Sequence, residues 1–195
     1  MTKPGTAAAF RLAGLVLAGG RSRRFGAEKA MALYQGRPML DWGLQVLAVG
    51  CHPLAVNAPP GSGAADLALS RGLAIVSDAA GDPDGPLSGV LAGLVWARDQ
   101  GAVWLATVPC DMPQLPDDLV ARLGQAAGEG PGARLETVDG RQPLCALWNT
   151  GLIAPLRLAL DGGHPPVWAF QDQAGMAAAR LDVTLANRNR PDDSV

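Results

Sequence analysis

Three cysteines, two histidines and one tyrosine are all this 195-residue chain has of the side chains most used for covalent staples, metal cages and proton relays. Cys51, Cys110 and Cys145 are odd in number and contain no CxxC pair, which excludes a disulfide framework and fits a reducing compartment. His52 and His164 belong to no HExxH motif and lie near no cysteine pair, so a zinc centre is not expected. Cys110 has no histidine near it in sequence, and a triad reading fails with it. Charge is also scarce, at 17% of residues and a formal net of −2, which leaves no general surface for nucleic acid or an anionic membrane. No apolar run approaches the roughly 20 residues of a membrane span. The run Leu12 to Ala18 is too short for one, and Arg23-Arg24 follow it, whereas the arginines of a twin-arginine export signal precede the apolar segment. A cytoplasmic protein without membrane or nucleic-acid partners is the expectation.

What the chain does have is apolar residues, 48% of the total, punctuated by 25 glycines and 16 prolines. That balance predicts a single loop-rich globular domain over 1–195. Short apolar runs at 15–18, 54–56, 73–76 and 102–108 are bounded by Gly, Pro or Asp and read as buried parallel strands. Between them come helical periods after Pro38, Pro86 and Pro116-Asp117, with proline marking each start. Strand and helix alternating at this spacing predict an α/β fold with a doubly wound, mostly parallel, Rossmann-like sheet. The last third is less regular, with strand-like 133–138 and 144–148, a helical 153–160, a Gly-Gly-His-Pro-Pro break at 162–166 and a polar tail from 186.

The charge is unevenly placed. Residues 21–37 carry Arg21, Arg23, Arg24, Lys29 and Arg37 against Glu28 alone, a net +4 that leaves −6 for the remainder. This island directly follows Leu17-Ala18-Gly19-Gly20, where a buried strand runs into paired glycines whose N–H groups can turn toward an anion. The end of the first strand of an open α/β sheet is also where ligands bind. Neither GxxxxGK[ST] nor GxGxxG is present, so the alternative is a plain turn followed by a solvated basic loop.

Leu17-Ala18-Gly19-Gly20-x-Ser22-x-Arg24-Phe25-Gly26-x-x-Lys29 closely resembles the L-A-G-G-x-S-x-R-M-G-x-x-K signature of the nucleotidyltransferases, in particular the molybdenum cofactor guanylyltransferases. Phe25 replaces the usual methionine and Glu28 the usual aspartate. The resemblance implies that the loop wraps the triphosphate of GTP, with Leu17, Ala18, Gly19 and Gly20 against the nucleotide and Arg24 and Lys29 neutralising the phosphates. It extends over about 14–193. Val56-Asn57-Ala58 resembles a V-N-A motif whose asparagine contacts the nucleotide. Asp78, followed by Gly85-Pro86-Leu87-Ser88-Gly89, resembles the aspartate and G-P-L-x-G segment of the guanylyl branch. Asp78 is implied to recognise GTP, whether through base, ribose or metal; a carboxylate suits the donor edge of guanine, and the residue-level alternative is an exposed turn. Cys110-Asp111-Met112-Pro113 resembles a C-D-x-P motif whose aspartate binds Mg²⁺. Read from the residues, Asp111 follows a buried strand and suits a hard cation; the alternative, a helix cap, is better supplied by Asp117 and Asp118.

The family implies a GTP-binding half at about 10–115 and a molybdopterin-side half at about 116–190. On the second half Gln142 replaces an expected histidine, and His164-Pro165 replace expected arginines. The implied reaction transfers GMP from GTP to molybdenum-bound molybdopterin and releases pyrophosphate. Implied protein partners are the molybdate-inserting enzyme and the apo-molybdoenzymes or their chaperones. Three rivals are set against it. The CTP-using cytidylyltransferases typically read L-A-A-G and lack G-P-L-x-G. A non-catalytic nucleotide-binding module would not need both Lys29 and Asp111. A nicotinamide dehydrogenase would need the missing GxGxxG.

Overall fold

The computed structural model of the protein describes residues 12–19 and 28–185. In chain order the elements are β1 (Leu12–Leu17), β2 (Leu33–Tyr34), β3 (Arg37–Pro38), α1 (Met39–Ala48), β4 (Leu54–Asn57), α2 (Gly63–Ser70), β5 (Ala74–Val76), α3 (Pro86–Asp99) and β6 (Trp104–Pro109). They continue with α4 (Leu119–Ala127), β7 (Gly132–Thr137), β8 (Gly140–Asn149), α5 (Ile153–Asp161), α6 (Val167–Gln173) and β9 (Ala177–Arg180). Seven strands form one sheet in the order β5-β4-β1-β6-β8-β7-β9, and β2 and β3 make a separate small hairpin.

The sheet is mostly parallel, as the alternating pattern predicts. β1 pairs in parallel with β4 and β6, β4 with β5, and β7 with β9; β8 alone runs against its neighbours β6 and β7. In β1 the pleat sends Ala13, Leu15 and Leu17 to one face and Val16 to the other, and all four are buried. Both faces therefore need helical cover, which is why these strands appear as unbroken apolar runs. On one face α1, α2 and α4 pack through residues such as Leu40, Leu47, Ala68, Leu119 and Leu123. On the other, α3, α5 and α6 pack through Leu87, Leu91, Leu94, Leu156 and Phe170. Where β8 meets β6, the Thr107 hydroxyl donates to the Leu144 carbonyl at 2.8 Å and accepts from Trp148 Nε1 at 2.9 Å.

Several elements differ from the sequence expectation. β8 is ten residues long rather than five, because Gly140 to Gln142 extend the ladder with β7 beyond the apolar stretch. α2, α6, β9 and the β2–β3 hairpin show no strong period in sequence. α2 is held from outside its own sequence: Ser62 Oγ accepts from the Ala65 N–H, and Glu28 Oε2 accepts from the Ala64 N–H at the positive end of the helix. Asp118 does take the position before α4, but its side chain makes no capping bond there. It pairs at 2.6 Å with Arg122, one turn on, which holds its carboxyl below the usual aspartate range.

Candidate active site

A cavity of about 820 Å³ opens at the carboxyl edge of the sheet, a volume typical of small-molecule and cofactor sites. Its walls come from the ends of four parallel strands: Leu17 to Gly19 after β1, Asn57 to Pro60 after β4, Ser77 to Pro86 after β5 and Pro109 to Met112 after β6. Parallel strands wound outward from β1 in both directions leave a crevice where the winding reverses, and this cavity occupies it. Lys29 closes one side, and Gln142 to Cys145 of the antiparallel β8 close another.

The cavity brings together Leu17, Ala18, Gly19, Lys29, Asn57, Asp78 and Asp111 from the sequence expectation. Gly20 and Arg24 lie outside the described residues. Lys29 opens a short 3-10 turn, Lys29–Met31, anchored by the buried Ala30 and by the contact of Glu28 with α2. Its ammonium meets Asp111 Oδ2 at 3.1 Å, and both side chains are partly exposed to the cavity. A cation and an anion 82 residues apart in sequence thus share one point of the wall.

Asn57 is placed differently from a simple ligand contact. It is 4% exposed, and its Nδ2 donates inward to the Val76 carbonyl at 3.0 Å and to Asp78 Oδ1 at 2.8 Å. The carboxamide fills room left by two glycines: a methyl group at Gly19 would sit 2.9 Å from Asn57 Oδ1, and one at Gly89, in the first turn of α3, 2.5 Å from it. Asn57 therefore pins the loop after β1, the carboxylate after β5 and the start of α3 to one another. Asp78 itself is exposed at the cavity, oriented by that bond.

Asp82 was not singled out by any motif. Its side chain is 8% exposed, lines the cavity and pairs with Arg157 Nη1 from α5. Only the fold brings these residues together, since 75 positions separate them. Gln142 lies on the cavity wall and donates to Thr137 Oγ1 at 3.4 Å, whereas Arg141 turns away to Asp172 at 2.7 Å. His164 does not line the cavity; it sits behind it against Gly85.

The thiols are inert walls. Burial pushes Cys110 up to about 12, with the neighbouring Asp111 carboxylate adding to the effect, and raises Cys145 further still. A thiol so raised is protonated at neutral pH and is no nucleophile. Among the described residues no group of three or more His, Cys, Asp or Glu side chains could enclose a metal ion. Asp111 offers a hard carboxylate at the cavity, which suits a divalent cation completed by ligand oxygens rather than a closed protein cage. Among the same residues no helix is long and apolar enough to cross a membrane.

Comparison with known proteins adds to this geometry. Residues 14–175 match the family described as MobA-like NTP transferase domain. Over 187 residues, 94% of each chain, the sequence is 39% identical to the molybdenum cofactor guanylyltransferase of Cereibacter sphaeroides. The fold resembles the solved structure of molybdopterin-guanine dinucleotide biosynthesis protein A from Archaeoglobus fulgidus, with a TM-score of 0.67, 20% identity and coverage of 88% of this chain and 83% of that one. It also resembles Rv0371c from Mycobacterium tuberculosis, with a TM-score of 0.71, 22% identity and 96% coverage of both chains. A second structure of that protein, in complex with manganese, aligns with a TM-score of 0.62, 20% identity and coverage of 90% of this chain and 89% of that one.

Proposed function

The chain belongs to the MobA-like NTP transferase family, and from that membership we infer that it is a molybdenum cofactor guanylyltransferase, moving GMP from GTP to molybdenum-bound molybdopterin with release of pyrophosphate. The observation that carries the reading at residue level is the convergence of Gly19, Lys29, Asn57, Asp78 and Asp111 on one cavity at the carboxyl edge of the sheet. In this reading the triphosphate lies along the loop after β1, against Gly19 and Gly20, with Lys29 and Arg24 neutralising it. The guanine end lies toward the loop after β5, where Asp78 accepts from the donor edge of the base. Molybdopterin approaches from the side of Gln142 to Cys145.

A terminal phosphate oxygen of molybdopterin attacks the α-phosphorus of GTP. The new P–O bond forms as the bond to the β-phosphate oxygen breaks, and the electron pair leaves with pyrophosphate. The attacking oxygen is already ionised at neutral pH, so no general base is required. The work left to the protein is alignment and charge neutralisation. Lys29 and the glycine-loop amides supply fixed positive charge where negative charge concentrates. Asp111 would hold a divalent cation, which we assign as Mg²⁺, and that cation would supply charge neutralisation for the phosphates of GTP. The Lys29 ammonium, which pairs with the same carboxylate at 3.1 Å, would serve the phosphates. The cellular setting that follows is cytoplasmic, with the acceptor supplied by the molybdate-inserting enzyme and the product passed to apo-molybdoenzymes or their chaperones.

The test is pyrophosphate release by the purified protein with Mg²⁺, molybdenum-loaded molybdopterin and either GTP or CTP. GTP is expected to be preferred, and equal or greater turnover with CTP overturns the guanylyl assignment. Lys29→Ala and Asp111→Ala should each lower kcat/KM by about 100-fold or more, the scale expected for removing a transition-state charge partner. Retained activity in both removes the mechanism.

A further inference from the structure

The loop from Ser77 to Pro86 carries Asp78, Asp82, Asp84 and Gly85 into the cavity wall, yet two of its anchors come from the far end of the chain. Arg157 of α5 pairs with the Asp82 carboxylate, whose other oxygen is buried and finds no hydrogen-bond partner among the described residues. His164, in the turn between α5 and α6, places its imidazole on Gly85: a methyl group at Gly85 would lie 2.2 Å from His164 Nε2. His164 adopts a left-handed backbone conformation, φ 51°, uncommon outside glycine. A third tie closes the loop on α3, where Ser88 Oγ donates to the Pro83 carbonyl at 2.7 Å. Neither Arg157 nor His164 lines the cavity.

We propose that Arg157 and His164 are positioning residues for the nucleotide: they clasp the 77–86 loop from behind and hold its carboxylates in place for the guanine end of GTP. The inference rests on the reading of the cavity as a GTP site. It goes further by giving the α5–α6 segment a role in the affinity for the first substrate rather than the second. A nearly buried carboxylate is left uncompensated when its ion-pair partner is removed, and it then moves to regain solvation. The imidazole, in turn, occupies the space into which Gly85 would otherwise retreat.

The test compares two probes on the folded protein with Mg²⁺, GTP and inorganic tripolyphosphate, by titration calorimetry. Tripolyphosphate occupies only the end near Gly19 and Lys29, away from the clasp. Arg157→Ala is expected to raise the Kd for GTP about tenfold or more, as for loss of one partner of a desolvated charge pair, while leaving tripolyphosphate within about twofold. Arg157→Lys should recover much of the loss. His164→Ala strands no charge, so it carries the test should Arg157→Ala not fold; it should weaken GTP alone by about threefold or more, through a loosened loop. In turnover both variants should raise KM for GTP with little change in kcat. Unchanged GTP affinity in a folded variant, or equal weakening of both probes, overturns the clasp. If the wild type binds tripolyphosphate but GTP no better, the nucleotide reading fails, and the clasp with it.

Discussion

Replacing Asn57 by alanine separates two roles that the asparagine of the V-N-A segment could have. If it were only a ligand contact, the empty protein would be as stable without it. The structure gives its Nδ2 two internal bonds, one to a neutral carbonyl and one to a carboxylate. Their loss costs about 1 kcal/mol and about 1.5–3 kcal/mol respectively, so about 3 kcal/mol together. No orphan is added, because the Val76 carbonyl keeps the Ala58 N–H at 3.2 Å. For a chain of this length about 3 kcal/mol lowers Tm by roughly 6–12 °C. Thermal denaturation of the nucleotide-free protein reads this directly, and a Tm within about 1 °C of wild type would refute the pinning argument. Gly89→Ala sharpens the test. Alone it drives a methyl to within 2.5 Å of the Asn57 carboxamide and should destabilise. In the Asn57→Ala background that obstacle is gone, and the substitution should be neutral or stabilising by up to about 1 kcal/mol, the helix preference for alanine over glycine. Additive costs would show that the two positions do not touch.

Two further predictions concern packing and titration. Gly93 lets α3 lie close on the sheet, and a methyl there would meet Leu15 Cδ2 at 2.4 Å and Leu105 Cδ2 at 3.0 Å, both on fully buried side chains. Gly93→Ala should therefore destabilise by about 1–3 kcal/mol in urea unfolding despite its better helix propensity, and a stabilised variant would show that the helix can lift off freely. Burial raises Cys51 and Cys110 to about 12 and Cys145 further, so all three stay protonated in the folded protein when the unfolded chain begins to ionise near 9. The unfolded state then binds fewer protons, and stability falls as pH rises from 9 toward 12 by up to about 1.4 kcal/mol per pH unit per thiol. Cys51→Ala should flatten that slope, and a thiol reagent at pH 8 should modify none of the three before unfolding; rapid modification of Cys110 would contradict its raised value.

The parts of the fold legible in sequence are those in which one stretch of chain carries its own signal. β1, β4, β5 and β6 are covered on both faces and so are continuous apolar runs. α1, α3 and α4 each follow a proline and keep a helical period. α2 was not legible because its start is fixed by Ser62 and by Glu28, a residue 36 positions away. The full length of β8 was hidden because its first half pairs with β7 through Gly140, Arg141 and Gln142, which carry no apolar signal. The same division holds at the site. Asp78 and Asp111 closely follow strand ends and Lys29 belongs to the glycine-loop motif, so all three announce themselves by type and position. The inward bonds of Asn57 could have been suspected from a buried strand end flanked in space by glycines, but not from spacing alone. Asp82 becomes visible only when α5 delivers Arg157 to it.

The antiparallel strand β8 has a mechanical consequence. It is hydrogen-bonded on one side to β6, which ends two residues before Asp111, and on the other to β7, so one ladder, irregular at Arg134–Leu135, joins the strands of the cavity wall to those beyond it. Rotating one half of the molecule against the other would shear that ladder and the Thr107–Trp148 contact beside it. A hinge therefore has no place to form along this seam. Access to the cavity falls to the rim at the strand ends, while its floor is tied into the sheet.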